Sequence, residues 1–184
     1  MRSCLLLILL LFVCCETEKK KFEKVIVDEK IVDNDTIQLL SKYPELVLFN
    51  SEKVGHKSRT AYIIQTASFH DGIRVRTVEF DNYKCKAVYK NDTISIWLNN
   101  NNGYFGNGIL IQVFDDRFLI KDIDPKTLRN KVKFIESEPF YQQVILNKRI
   151  FKKNDSIYGF VDYSANIDTC VAKRFRGYFK TLIE

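Results

Sequence analysis

The stretch 84–98, KCKAVYKNDTISIWL, carries a clear fold signal. Two runs rich in β-branched, aromatic and other apolar residues, 84–90 and 93–98, flank the pair Asn91-Asp92. Asn and Asp tolerate left-handed backbone conformations, and such a pair between two apolar runs is typical of a tight β-hairpin turn. The stretch therefore predicts two antiparallel strands joined by a short turn.

The same signal recurs on both sides of this hairpin. Asp115-Asp116 separates the runs 109–114 and 117–121, and residues 68–70 join 60–67 to 71–80. Within 71–80, apolar and charged residues alternate, which predicts a half-buried strand. The remaining extended runs are 132–136, 143–147, 156–163 and 171–182. Because turn signals recur roughly every 8–15 residues, we predict an all-β fold with a single antiparallel β-sandwich.

Two segments depart from the strand pattern. Residues 34–43, NDTIQLLSKY, begin with a capping residue, Asn34 or Asp35, and place Ile37, Leu40 and Tyr43 at helical spacing before Pro44. This pattern predicts one short helix at 34–43, although a strand followed by a loop is the alternative. Residues 124–130, DPKTLRN, are compatible with one further helical turn.

The N-terminus predicts export. Leu5 to Val13 is an unbroken apolar run of nine residues, which as a helix spans about 13 Å and is too short for a bilayer. Such a run is typical of a signal peptide. Cys14 and Cys15 follow it directly, and the charged stretch 16–24 comes next. We therefore predict a signal over 1–15, a charged tether over 16–24 and one domain over 25–184.

This leader resembles the bacterial lipoprotein signal, in which a cysteine is acylated and becomes the new N-terminus. We favour Cys15, because its preceding residue is the smaller one, whereas Cys14 has the better-placed leucine, Leu11. The acidic Glu16 and Glu18 resemble the surface-export signals of Bacteroidetes lipoproteins. The resemblance implies a palmitate-type lipid anchor, a membrane partner, and a location at the outer membrane or cell surface. An ordinary cleaved signal with two incidental cysteines is the alternative.

Two further resemblances concern the body of the chain. Residues 146–161, LNKRIFKKNDSIYGFV, resemble a strand-turn-strand segment of extracellular immunoglobulin-like sandwiches, with Asn154 replacing the usual glycine. This resemblance implies an immunoglobulin-like sandwich in which Ile157 and Val161 face the core and Gly159 makes room for a neighbouring strand. The chain as a whole, and residues 108–137 in particular, resemble short Bacteroidetes lipoproteins that pair a cysteine-tipped signal with one β-rich domain of unknown function.

Cys85 and Cys170 are the cysteines of the domain. In an oxidising compartment they are candidates for one disulfide, and each is also compatible with a small core residue.

The remaining motifs point away from catalysis. The chain lacks Gly-x-Ser-x-Gly, a phosphate-binding loop and zinc-type spacing, and we interpret its two histidines, His56 and His70, as surface residues. The acidic clusters Asp115-Asp116, Asp122/Asp124 and Glu136/Glu138 are expected at turns, with calcium binding at Asp122/Asp124 or a paired-acid hydrolase as alternatives. We therefore predict no catalytic residue, no metal and no cofactor.

Charge and aromatics indicate the kind of partner. The net charge is +6, but 20 of the 29 basic residues are lysines, which favours a solubilising surface over a nucleic-acid partner. Tyr104 and Phe105, in an Asn/Gly-rich loop, and Trp97 are candidate ligand-contact residues. We expect a non-enzymatic binding or scaffold module with an unknown protein or glycan partner. The alternatives are a carbohydrate-active hydrolase or glycan-binding protein, and a secreted eukaryotic or viral glycoprotein with glycans at Asn34, Asn91 and Asn154.

Overall fold

The computed structural model describes residues 22–47, 57–100, 107–124 and 133–184, with the side chain of Asp124 left out. Its chain forms two six-stranded β-sheets whose inner faces share one hydrophobic core. The predicted all-β sandwich is confirmed.

The first sheet is a four-stranded meander with two short strands along one edge. Its strands are β1 (Glu23–Lys24), β5 (Lys84–Lys90), β6 (Thr93–Asn99), β7 (Gly108–Phe114), β8 (Arg117–Asp124) and β9 (Lys133–Ile135). Strands β5 to β8 are neighbours in chain order, while β1 and β9 pair with different halves of β8.

The second sheet contains the longest strands. Its strands are β2 (Ile26–Val27), β3 (Ala61–His70), β4 (Val75–Phe80), β10 (Glu138–Leu146), β11 (Ser156–Asn166) and β12 (Val171–Leu182). Their order is β2-β10-β11-β12-β3-β4. The β2–β10 pair is parallel, whereas we predicted a sandwich in which all pairs are antiparallel.

The strand order does not confirm the immunoglobulin-like connectivity. In an immunoglobulin sandwich the third strand leaves the sheet of the first two. Here β5 to β8 stay together in the first sheet, and β10 to β12 stay together in the second.

Short polar turns join the hairpins where the sequence predicts them. Asn91, Asp92 and Asp115 have φ values of 50°, 55° and 53°, and Asn154 has a φ of 70°. Asn and Asp adopt this left-handed region more readily than other residues with a side chain. The turns are therefore a local property of these residues.

The core follows the alternation of the strands. Ile157 and Val161 are fully buried, as the resemblance implied. A Cβ on Gly159 would lie 2.3 Å from the ring of Phe179 on β12, and Phe179 is the cross-strand partner of Gly159. The missing side chain at Gly159 thus leaves the space in which this aromatic ring packs against the neighbouring strand.

The predicted short helix is present. A 3₁₀ helix, Glu29–Asp33, precedes the helix α1, Asp35–Leu40, and Asn34 caps α1 by accepting a hydrogen bond from the Thr36 N–H. The helix ends at Leu40, before Tyr43, and buries Ile37 and Leu40. Among the described residues, no helix is long and apolar enough to cross a membrane.

Both ends of the described chain link the two sheets. Glu23–Lys24 pairs with β8 in the first sheet, and Ile26–Val27 pairs with β10 in the second. At the C-terminal end, Ile183 directly follows β12 of the second sheet and forms a β-bridge to Ala87 of β5 in the first sheet. The predicted tether, 16–24, is therefore wrong at its C-terminal end, because its last two residues are already in a strand.

The prediction for 71–80 is partly wrong. Strand β3 continues to His70, the turn follows at 71–74, and β4 begins at Val75. Every residue of β4 is exposed, so this edge strand is not half-buried as predicted. Alternation identifies the two faces of a strand but not whether anything covers them.

Candidate functional site

The outer face of the second sheet presents aromatic and charged side chains in adjacent rows. Tyr178 on β12 lies between two direct cross-strand partners, Phe160 on β11 and Tyr62 on β3. We call these three residues the aromatic row. Arg176, two residues earlier on β12, has Asp162 and Ile64 as its partners. Consecutive rows are about 7 Å apart, because two residues of a strand rise by that distance.

The sequence of β12 explains why these residues share a face. Phe175, Gly177 and Phe179 are buried, and they alternate with Arg174, Arg176 and Tyr178 on the outer face. Successive side chains of a strand point to opposite faces, so burial of the phenylalanines puts both arginines and Tyr178 outside.

Asp162 positions the two arginines. Its side chain is only 8% exposed. Arg174 donates two hydrogen bonds to it, from Nε to Oδ1 at 2.9 Å and from Nη2 to Oδ2 at 2.7 Å. The Arg176 Nε lies 3.6 Å from the same Oδ2. These two hydrogen bonds hold Arg174 against Asp162 and raise the pKa of its guanidinium further.

The aromatic row offers ring surface to solvent. Phe160 and Tyr178 contact each other with ring centroids 4.9 Å apart, and Tyr62 is 41% exposed. The guanidinium of Arg176 lies 5.9 Å from the centre of the Phe160 ring, and that of Arg59 lies 5.7 Å from the Tyr62 ring. Aromatic rings beside charged hydrogen-bond donors suit ligands that have both apolar and polar faces.

These residues enclose a groove of about 400 Å³. Among the described residues, it is lined by Thr36 of α1, the aromatic row, Ile64, Thr66, Arg174, Arg176 and Gly177. Gly177 is required in its floor, because its φ is +152° and a Cβ there would lie 2.0 Å from the Tyr62 carbonyl oxygen. This volume is in the usual range for a small-molecule site.

A second polar cluster is buried between the sheets. The Tyr163 hydroxyl donates to Asp122 Oδ2 at 2.5 Å and lies 3.1 Å from Ser137 Oγ. Burial raises the pKa of Asp122, and hydrogen bonds from Tyr163 and Ser137 oppose that shift. Asp122 has no exposed surface, so this carboxyl group cannot reach a ligand. It was expected at a turn and instead lies within β8.

The remaining acidic clusters lie in different parts of the fold. Asp115 and Asp116 form the β7–β8 turn, as predicted. Glu136 and Glu138 are exposed and line a second concavity of about 400 Å³ together with Asp168. Asp168 Oδ1 accepts hydrogen bonds from the backbone N–H groups of Cys170 and Val171. No cluster of three or more potential metal ligands is found among the described residues.

The structure separates the two cysteines that were candidates for a disulfide. Both are free; Cys85 is buried and Cys170 is exposed. The Cys85 N–H donates to Thr60 Oγ1, just before β3, while the Cys170 carbonyl accepts from the N–H of His70 at the other end of that strand. Ten residues of strand span about 33 Å, whereas a disulfide needs Cα atoms within about 7 Å. The structure therefore contradicts the candidate bridge between Cys85 and Cys170.

The other predicted contact residues do not meet in one site. Trp97 is half-buried on the outer face of β6, in the first sheet, and is not in a loop. The structure does not describe Tyr104, Phe105, His56 or the anchor candidates Cys14 and Cys15. Of the helical turn expected at 124–130, Asp124 ends strand β8 and residues 125–130 lie outside the described residues. His70 is exposed at the end of β3, as predicted.

The groove residues were not predicted, although part of their signal is present in the sequence. The run 171–182, VAKRFRGYFKTL, alternates phenylalanines with arginines and a tyrosine. That pattern identifies one polar, aromatic face of a strand. It does not identify β3 and β11 as the neighbours that supply Tyr62 and Phe160.

No known protein family, curated protein or solved structure matches this chain.

Proposed function

We propose that this chain is an exported binding module without catalytic activity of its own, anchored by an acylated cysteine to the outer membrane or cell surface. The groove on the outer face of the second sheet is its ligand site. The observation that carries the proposal is the partly exposed aromatic row beside Arg174 and Arg176. Such a combination stacks against apolar ring faces and donates hydrogen bonds to polar groups, which favours saccharide ligands.

The leader supports the anchored location. Seven residues, 16–22, lie between Cys15 and Glu23, the first residue of β1, so eight Cα–Cα steps join the two. Eight residues of fully extended chain span at most about 29 Å. An acyl anchor at Cys15 would therefore hold the sandwich close to the membrane surface, where several acyl chains give lasting attachment.

Mass spectrometry of the mature N-terminus tests the anchor. Full-length chain with its own leader is expressed in a Bacteroidetes host, and the membrane fraction is compared for wild type, Cys15→Ala and Cys14→Ala. We expect an acylated Cys15 at the N-terminus and loss of membrane association in Cys15→Ala only. Recovery of unprocessed chain with Met1 from the cytosol would refute export. N-glycans at Asn34, Asn91 or Asn154 on chain isolated from its native source would instead select the secreted glycoprotein.

A glycan array tests the binding site. The folded domain is applied as wild type, Tyr62→Ala and Trp97→Ala, since Trp97 lies on the opposite sheet and controls for loss of an aromatic residue. We expect Tyr62→Ala to lose binding and Trp97→Ala to retain it. Binding that survives Tyr62→Ala, or is lost only in Trp97→Ala, would place the ligand elsewhere.

A hydrolase is the second candidate function. It is favoured by Glu136 and Glu138, which both line the second concavity, the one that also contains Asp168. Paired acids must lie about 5–9.5 Å apart across a substrate. The described residues that line the groove itself include no carboxylate. A screen of the wild-type domain against glycan and peptide substrates distinguishes the two functions. Turnover by wild type that is lost in Glu138→Gln would show that the protein is a hydrolase and would refute the non-catalytic binding module.

A further inference from the structure

The groove has an excess of positive charge. Its described lining residues include two guanidinium groups, from Arg174 and Arg176, and no carboxylate. Arg59 lies against Tyr62 beside the groove. Asp162 lies next to the groove, but its carboxylate is almost fully buried and already accepts two hydrogen bonds from Arg174. A ligand in the groove therefore meets more cationic than anionic groups.

The two arginines differ in availability. Arg174 uses its Nε and one terminal nitrogen on Asp162. Arg176 is 61% exposed, and its one ion pair with a described residue runs through Nε at 3.6 Å. Its two terminal nitrogens donate no hydrogen bond to any residue that the structure describes. Arg176 thus retains the planar pair of donors that binds a carboxylate through two parallel hydrogen bonds.

The position of Arg176 beside the aromatic row defines the ligand further. Tyr178 and Tyr62 lie about one row, or 7 Å, along the strands from Arg176 and its neighbour Ile64. A pyranose ring resting on a tyrosine ring can direct a substituent of its own toward a group at that distance. Thr36 and Thr66 also line the groove and add hydroxyl groups to its surface.

We propose that the groove binds an acidic saccharide, a glycan whose sugar carries a carboxylate, with Arg176 binding that carboxylate and the aromatic row stacking on the sugar ring. This inference rests on the proposed binding function and specifies its ligand class. Asp162 is occupied by Arg174 through two hydrogen bonds and is not assigned a contact with the ligand.

Titration calorimetry with matched oligosaccharides tests this ligand class. The probes are oligogalacturonate, the same oligomer after methyl esterification, and a sulfated oligosaccharide of similar length. We expect the wild-type domain to bind oligogalacturonate at least 10-fold more tightly than its methyl ester, with affinity that falls as salt is added. Equal affinity for both forms, or a preference for the sulfated probe, would overturn the carboxylate assignment.

Variants separate this inference from the proposed function. Arg176→Gln is expected to lose about 10–100-fold in affinity for oligogalacturonate, as is typical of a charge-assisted pair, while Arg176→Lys recovers part of it. Arg117→Gln removes the same charge from an exposed position on the other sheet and should have no effect. Unchanged thermal unfolding of each variant confirms folding.

The outcomes remain distinguishable. If esterified and acidic oligomers bind equally and Tyr62→Ala abolishes both, the acidic ligand is wrong and the binding groove stands. If Arg176→Gln and Arg117→Gln weaken binding equally, the effect is general charge, which also overturns the inference. If no saccharide binds the folded wild type, the saccharide-binding groove and its ligand class both fall.

Discussion

Replacement of Tyr163 by Phe probes the buried cluster at Asp122. The Tyr163 hydroxyl is the described group that donates to Asp122 Oδ2, at 2.5 Å, and the tyrosine ring is fully buried against Phe175. The variant keeps the ring and removes only the hydroxyl. Asp122 Oδ1 already has no hydrogen-bond partner among the described residues, so the interactions that still favour the buried carboxylate in the variant are those with Ser137 and with the charge of Lys173.

The expected loss depends on the charge of Asp122. A hydrogen bond to a charged group contributes about 1.5–3 kcal/mol, and one between neutral groups about 1 kcal/mol. Above the folded-state pKa of Asp122 the carboxylate is charged, so Tyr163→Phe should cost about 1.5–3 kcal/mol. At a pH low enough to protonate Asp122, the cost should fall to about 1 kcal/mol. In a domain of this size the larger cost lowers the Tm by roughly 3–12 °C.

The wild-type protein has its own pH dependence of the same origin. Burial raises the pKa of Asp122 above its usual value, so the folded state holds this proton more tightly than the unfolded state does. The contribution of Asp122 to stability is therefore most favourable below the unfolded-state pKa, and it falls as the pH rises through the folded-state pKa. Removing the Tyr163 hydrogen bond raises that pKa further and makes the fall larger.

Urea denaturation at several pH values between 3.5 and 8 measures both effects. Wild type, Tyr163→Phe, Asp122→Asn and the double variant form a double-mutant cycle. We expect the cost of Tyr163→Phe to rise with pH in the wild-type background and to stay near 1 kcal/mol at every pH in the Asp122→Asn background. A cost that is independent of pH, or identical in both backgrounds, would refute this account of Asp122.

Three further predictions concern packing, capping and thiol reactivity. Gly159→Ala should destabilise the fold by about 1–3 kcal/mol in urea denaturation, because the new Cβ would overlap the Phe179 ring. Strand propensity alone would favour alanine, so a stabilised variant would contradict the close contact between Gly159 and Phe179. Asn34→Ala should cost about 1 kcal/mol in the same assay by removing the cap of α1, and an unchanged midpoint would show that this cap does not matter. Iodoacetamide followed by mass spectrometry should label exposed Cys170 in the native protein but Cys85 only after unfolding, since burial protects that thiol and raises its pKa; equal labelling rates would contradict its burial.

The strands and turns could be predicted because their signals are local. Asn91, Asp115 and Asn154 mark turns through their own backbone preferences, and all three adopt left-handed conformations. The helix at Asp35–Leu40 was predicted from its capping residue and apolar spacing. Errors occurred where burial depends on distant elements. Strand β4 alternates like a half-buried strand, but every residue in it is exposed.

The candidate groove depends on contacts that the sequence pattern does not contain. Tyr62, Phe160 and Tyr178 lie on three strands that are far apart along the chain and meet only through the pairing of β3, β12 and β11. The same reasoning applies to Cys85 and Cys170, whose separation follows from their hydrogen bonds to residues at opposite ends of β3.

The amino-acid sequence by itself determined the fold class, the hairpin turns and the face of β12 that carries Arg174, Arg176 and Tyr178, because alternation and turn preference act within a few residues. Only the tertiary structure decided which strands lie beside β12, that Asp162 pairs closely with Arg174 and more loosely with Arg176, and that Asp122 is buried. The physical reason is that a strand specifies its own two faces, whereas its neighbours and its covering layer are chosen by long-range pairing and shared burial.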